Sequence, residues 1–440
     1  MRRTRFITAA ALMLGLAAAF LFGRPSQHPG ATDSAAATSA DAAVLSQLLN
    51  GLAGNDTQAY VSRLERRLRA RGPDGDTLLL LGLAYQQRAR ETGNPRFFTL
   101  SELALRRANA YPQSSPLAAA GLASLAVSRH RFGAAVPFAR AALRANPEDA
   151  TALGALGDAW LNLGRYHQAF VAYDKMAFLS PSVASYSRVA HARELLGRPR
   201  AAADALELAL TLRVPVREHR AAALVQLGNL HFNTGALRAA RRSYSAALAV
   251  YPGYVHAQAG LAHVEASIGD FRTALPLFRL VVERLPLPQY AIWQGDALRV
   301  AGHRAAARRA YELVSVIGRV QAANGVRTEL LTALFDLDHG RKLVGALSRA
   351  RTAWGRAPSI DSEDVLAWGL LRNGRCREAL PHSVRALRLG TRDALKFFHR
   401  AMIERCLGHD ATARQWFGRA LSVNPHFSLL WAPVARRYAS

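Results

Sequence analysis

A small residue returns along this chain at nearly constant intervals, and that periodicity limits the fold more than any other feature. Ala135, Ala169, Ala202, Ala240, Ala274, Ala307, Ala346, Ala379 and Ala413 are separated by 34, 33, 38, 34, 33, 39, 33 and 34 residues. Gly164, Gly197, Gly235, Gly269, Gly302, Gly340, Gly374 and Gly408 keep the same time. Pro147, Pro181, Pro252, Pro286, Pro358 and Pro425 close many of the same units. Three residue types in phase from residue 135 to residue 425 mark stacked supersecondary units, none of which can bury its apolar face alone.

Each unit reads as two helices. Leu153, Leu156 and Trp160 recur at helical spacing before Gly164 breaks the helix. Tyr166, Ala169, Tyr173 and Met176 form the inward face of a second helix that Pro181 stops. Gly157 and Ala169 are small because two antiparallel helices approach closely there.

This pattern resembles the tetratricopeptide-repeat (TPR) family. Leu224, Leu227, Gly228, His231, Gly235, Leu237, Ala240, Tyr244, Ala247, Leu248 and Pro252 form a nearly complete unit, and Gln258 to Pro286 forms another. The resemblance covers residues 75–427, about ten units. It implies an all-α fold, a right-handed superhelical solenoid of antiparallel helix pairs. Residues 41–73 read as a divergent first pair and 428–440 as a capping helix. The 75–113 unit carries extra residues, placed near Gly93-Asn94-Pro95. Ser315 and Arg319 stand where Leu and Pro are expected, which predicts an irregularity around 315–327.

The N-terminus has a different character. Arg2, Arg3 and Arg5 precede Phe6 to Phe22, which is free of charge. As a helix that stretch spans about 25 Å, the short end of what crosses a bilayer. The basic flank predicts a cytoplasmic N-terminus with the repeats on the far side. Residues 1–23 are either a signal peptide cut near Ala17-Ala18-Ala19 or a retained anchor; Phe20, Leu21 and Phe22 favour retention. Residues 24–40 are small, polar and aperiodic, a flexible tether. The expected location is therefore the cell membrane with an extracytoplasmic repeat domain, or secretion after cleavage.

The 440 residues include 57 Lys+Arg and 31 Asp+Glu, a net charge of +26. That balance suggests a polyanion partner, yet all the basic residues but Lys175, Lys342 and Lys396 are arginine in an alanine-rich chain, as GC-rich codon bias alone produces. The export segment and the lack of a basic stripe interleaved with aromatics disfavour nucleic acid.

No nucleophile elbow, phosphate loop, dinucleotide fingerprint or His-Glu-x-x-His motif occurs, so no enzyme activity, cofactor or metal is expected. The TPR resemblance places the partner surface on the concave face of the first helices. One position per unit then gives Asp158, His191, Asn229, His263, Asp296, Phe335, Trp368 and Met402, with Asn162, Asn233 and Phe398 beside them. The polar members suit an extended peptide backbone, and the late aromatic members an anchor side chain. Alternatively, Trp368 and Phe398 pack on Leu429-Leu430-Trp431. Cys376 opens one helix and Cys406 closes its antiparallel neighbour, so they can form a disulfide at one edge of the solenoid or remain buried thiols. The leading reading is a membrane-tethered or exported scaffold for protein or peptide ligands, the alternative a basic solenoid for an anionic polymer or lipid.

Overall fold

The computed structural model describes residues 56–212 and 216–440. The hydrophobic segment 6–22, the linker 24–40 and residues 41–55 of the first pair lie outside the described residues. Within them the regular structure is wholly α-helical, with 22 helices. No described helix is long and apolar enough to cross a membrane.

After α1 (Thr57–Arg71), twenty helices form ten antiparallel hairpins. These are α2–α3 (Gly75–Thr92, Arg96–Ala108), α4–α5 (Ser115–Ser128, Phe132–Ala145), α6–α7 (Ala150–Asn162, Tyr166–Leu179), α8–α9 (Val183–Leu195, Pro199–Thr211) and α10–α11 (Arg217–Asn233, Leu237–Val250). The stack continues with α12–α13 (Val255–Ser267, Phe271–Arg284), α14–α15 (Pro288–Val300, Arg304–Ala323), α16–α17 (Glu329–Asp338, Leu343–Arg356), α18–α19 (Ile360–Arg372, Cys376–Ala386) and α20–α21 (Ala394–Cys406, Asp410–Val423). The last helix is α22 (Ala432–Ala439).

Local chemistry sets the hairpin ends. Asp149 and Ser359 each accept a backbone N–H three residues on, capping α6 and α18. At the far end of α6, Gly164 takes φ +73° and Arg165 N–H returns to Trp160 O at 2.8 Å, closing the helix in a left-handed turn. The nine phase-marking alanines are each 2% exposed or less, because they sit where the two helices meet.

One contact recurs within the hairpins. A Cβ added to Gly157, Gly228 or Gly295 would lie 2.4, 2.5 or 2.3 Å from the ring of Tyr173, Tyr244 or Tyr311. Each phenol reaches the polar residue after its glycine: Asp158 at 2.9 Å, Asn229 at 2.7 Å and Asp296 at 2.8 Å. Glycine, acceptor and tyrosine thus form one packing unit, used three times.

Two expected irregularities take definite form. The extra length of the first hairpin lies in α2, which has 18 residues against 13 for α6. Ser315 and Arg319 fall inside α15, which runs 20 residues before Gly325, and the next helix, α16, has only 10.

The coil also closes on itself. The turn of each of the first five hairpins meets the loop after the hairpin five places further on. Arg327 N–H donates to Arg129 O at 3.0 Å and Arg131 Nε to Gly325 O at 2.9 Å. Ile360 N–H donates to Tyr166 Oη at 2.7 Å, Thr391 Oγ1 to Leu195 O at 2.5 Å and Asn424 Nδ2 to Phe232 O at 2.8 Å. Added Cβ atoms at Gly164 and Gly197 would lie 2.6 Å from Pro358 O and 2.4 Å from Gly390 O. Successive coils are therefore in direct contact along a seam.

Candidate binding cavity inside the coil

Tight winding turns the concave face inward upon itself. Asp158, 2% exposed, binds the Arg188 guanidinium at 2.7 Å as well as the Tyr173 phenol. Asn162 donates to Asp158 O at 2.9 Å, and Asn233, 3% exposed, donates to Glu194 at 2.9 Å. His191 stands 3.9 Å from Glu194. Burial disfavours its charge, but Glu194, Asp361 and Asp158 outweigh that effect and raise its pKa. Asn229 accepts from Tyr244. His263 lies between Phe232 and Trp293, its ring centroid 4.4 and 4.2 Å from theirs, and burial lowers its pKa to about 3.

The later positions form core. Trp368 and Phe398 are fully buried and Phe335 is 3% exposed. Trp368 stacks on His399 at 4.3 Å, while Phe398 stacks on Trp431 at 5.4 Å. Met402 is half-buried against the same cluster. Asp158, Trp368 and Phe398 are thus not open to a partner in this conformation. For the aromatic pair the reason is the alternative noted above: the segment after α21 enters the coil, and Trp431 packs on both rings.

Buried carboxylates continue the network. Lys396 Nζ lies 2.8 Å from Asp361 and 2.7 Å from Asp393. Burial would neutralise Lys396, but Asp361, Asp393 and Asp364 hold its pKa well above normal. His399 bonds Asp364 at 2.9 Å and His339 bonds Asp296 at 2.8 Å. Asp338 accepts the indole N–H groups of Trp368 and Trp431 at 3.0 and 3.1 Å. Burial raises its pKa, opposed by nearby His399 and His339.

A cavity of about 130 Å³ stays open beside these contacts. Of the sequence-selected residues it gathers Asn233, His263, Asp296 and Phe335; Asp158, Asn162, His191, Asn229, Trp368, Phe398 and Met402 are not in its wall. Trp293, Asp338, Asp393 and the segment bearing Phe427 and Trp431 complete it. Reading one position per unit missed these, because three arrive from other register positions and the last from beyond the repeats. The hydrophobic run Leu429-Leu430-Trp431 was the available signal. Among the described residues no group of three or more His, Cys, Asp or Glu is placed to hold a metal.

Cys376 and Cys406 are joined as a disulfide with Cα atoms 6.1 Å apart. It ties the start of α19 to the end of α20, away from the cavity wall.

Residues 121–184 and 225–287 match the family profile of the tetratricopeptide repeat. A search of curated proteins finds no match. Among solved structures, the human IFIT1 dimer with m7Gppp-AAAA is similar at 15% identity over 76% of this chain and 77% of that one, with a TM-score of 0.48. The APC/C hetero-tetramer Cut9-Hcn1 is 12% identical over 93% of this chain and 99% of that one, TM-score 0.33. PilW, a widely conserved type IV pilus biogenesis factor, is 16% identical over 44% of this chain and 90% of that one, TM-score 0.38. These scores carry no functional weight. The chain thus carries tetratricopeptide-repeat matches in two segments, both set within a stack of ten hairpins of one build.

Proposed function

We propose that the chain is a non-enzymatic scaffold for protein or peptide partners, its repeats wound as a right-handed superhelix. The repeat stack carries this reading, since a solenoid presents extended surface rather than a reaction centre. The inner wall is largely consumed by self-contacts, so partners dock on the outer faces of the second helices. Those faces hold exposed apolar side chains, Val171 and Phe178 on α7 and Val344 on α17, with Phe178 85% exposed. Residues 6–22 anchor the chain in the membrane, or direct its export if cleaved, and place the repeats in an extracytoplasmic compartment. The Cys376–Cys406 bond supports that placement, since disulfides persist in oxidising compartments.

Crosslinking of the full-length chain in its host, followed by identification of captured proteins, tests the scaffold. The expected result is a specific protein captured by the wild type and lost from Phe178→Ser. Capture of nothing specific, or capture indifferent to Phe178, counts against it.

One observation favours a polyanion as the second reading. Among the described residues burial hides nine carboxylates (Asp149, Asp158, Glu194, Glu265, Asp336, Glu363, Asp364, Asp393 and Glu404) but only three Lys or Arg side chains, Arg129, Arg188 and Lys396. The exterior is thereby more basic than the net charge of +26 alone implies. Polyanion binding would weaken steeply with salt, whereas binding through apolar outer faces would not.

A further inference from the structure

The cavity inside the coil combines two features that select one kind of ligand. Its wall includes the Phe232–His263–Trp293 ring stack together with Phe335, Phe427 and Trp431. It also includes three carboxylates, of which two are matched. Asp296 is paired with His339 at 2.8 Å and Asp393 with Lys396 at 2.7 Å.

Asp338 is the third. Its Oδ1 accepts both indole N–H groups, and no cation among the described residues bonds it. The cationic groups near enough to influence its charge are committed elsewhere. Arg372 donates to Leu337 O at 2.6 Å, His399 is bonded to Asp364, and His339 to Asp296. His263, kept neutral near pH 7 by burial, adds no repelling charge.

Aromatic faces attract weakly hydrated organic cations, and a carboxylate without an ion pair gives such a cation its counter-charge. A hard metal ion would instead require a shell of six or more oxygen ligands. A volume of about 130 Å³ is slightly below the roughly 150 Å³ of a cavity that admits benzene. We infer that this cavity binds an alkylammonium group, the size of a trimethylammonium or butylammonium head, with Asp338 as counter-ion and the Phe232–His263–Trp293 stack as its aromatic wall. The inference is independent of the scaffold reading. The group can belong to a free amine or to a lysine side chain of a partner.

Isothermal titration of the full-length chain tests it with four probes: choline, butylammonium, a blocked lysine peptide, and dimethylbutanol, the uncharged carbon isostere of choline. At least one cation is expected to bind at least tenfold more tightly than dimethylbutanol. Binding of choline or butylammonium identifies a small-molecule site, and binding of the lysine peptide alone identifies a side-chain subsite; either supports the inference. Asp338→Asn, which keeps an oxygen acceptor for the two indoles, should abolish the preference for charge at an unchanged melting temperature. Should that variant fail to fold, Trp293→Leu is expected to weaken cation binding at least tenfold. Failure of every cation to bind more tightly than dimethylbutanol, absence of heat with every probe at millimolar concentration, or an unaltered preference in a folded variant would overturn the inference.

Discussion

The phenol of Tyr166 accepts the backbone N–H of Ile360 at 2.7 Å, across 194 residues of sequence. Ile360 is the first residue of α18, and a helix leaves its first four N–H groups without intrahelical partners. Tyr166 opens α7 in the third hairpin, so one coil caps a helix of the next. Burial, with Asp361 nearby, pushes the phenol pKa up to about 12, and the group stays protonated throughout the neutral range.

The seam separates turn glycines that look alike in sequence. Gly197 and Gly374 both adopt φ near +70°, yet a Cβ at Gly197 would meet Gly390 O at 2.4 Å whereas one at Gly374 meets nothing within 4 Å. Both alanine variants should lose about 1–2 kcal/mol from the left-handed backbone. Gly197→Ala should lose roughly 1–3 kcal/mol more through overpacking. Urea unfolding of the two variants measures the difference; equal losses would show that the coils do not touch there.

Helix-interior glycines divide in the same manner. Gly228→Ala forces a Cβ to 2.5 Å from the Tyr244 ring and should destabilise by about 1–3 kcal/mol. Gly418 lies within α21 with open space around it, so Gly418→Ala should stabilise by about 0.5–1 kcal/mol. Opposite shifts in melting temperature are expected.

These contrasts show where the sequence is legible. The period located the hairpins, their turns and the alanines between them, because those features depend on neighbouring residues. The seam depends on the pitch of the whole coil, and nothing local to Gly197 or Gly374 encodes it. The same pitch altered the groove. Asp158, Asn233 and Trp368 occupy first-helix positions that would face a ligand in an open solenoid, but here they meet Arg188, Glu194 and Trp431. His263, Asp296 and Phe335 still line open space.

The buried His263 predicts a pH dependence. Its folded pKa of about 3 lies below the usual 6.5, so acid protonates the unfolded chain first. Stability is therefore lost as pH falls from about 6.5 toward 3, by about 1.4 kcal/mol per unit once the unfolded group is charged. His219 and His256, both lowered to about 4, act in the same direction, while His191 and His339, raised by carboxylates, oppose them. Comparison with His263→Phe isolates the one group. The stability advantage of wild type over variant should shrink between about pH 6 and pH 4 at that rate, and a constant difference would contradict the assignment.

The disulfide spans a sequence separation of 30 residues. Closing a loop of that length constrains the unfolded chain by about 3–4 kcal/mol. Cys376→Ala/Cys406→Ala should therefore unfold at lower denaturant by about that amount, and reductant should lower the melting temperature of the wild type but not of the double variant. Two free thiols in the native, unreduced chain would refute the bond.

The contact between coils is tested most directly by hydrogen exchange at the Ile360 amide, resolved to single residues. In the wild type that amide should be strongly protected, and in Tyr166→Phe it should exchange much faster while amides in the middle of α18 keep their protection. An Ile360 amide that exchanges as freely in the wild type as in the variant would mean that the coils stand apart and the inner wall is open.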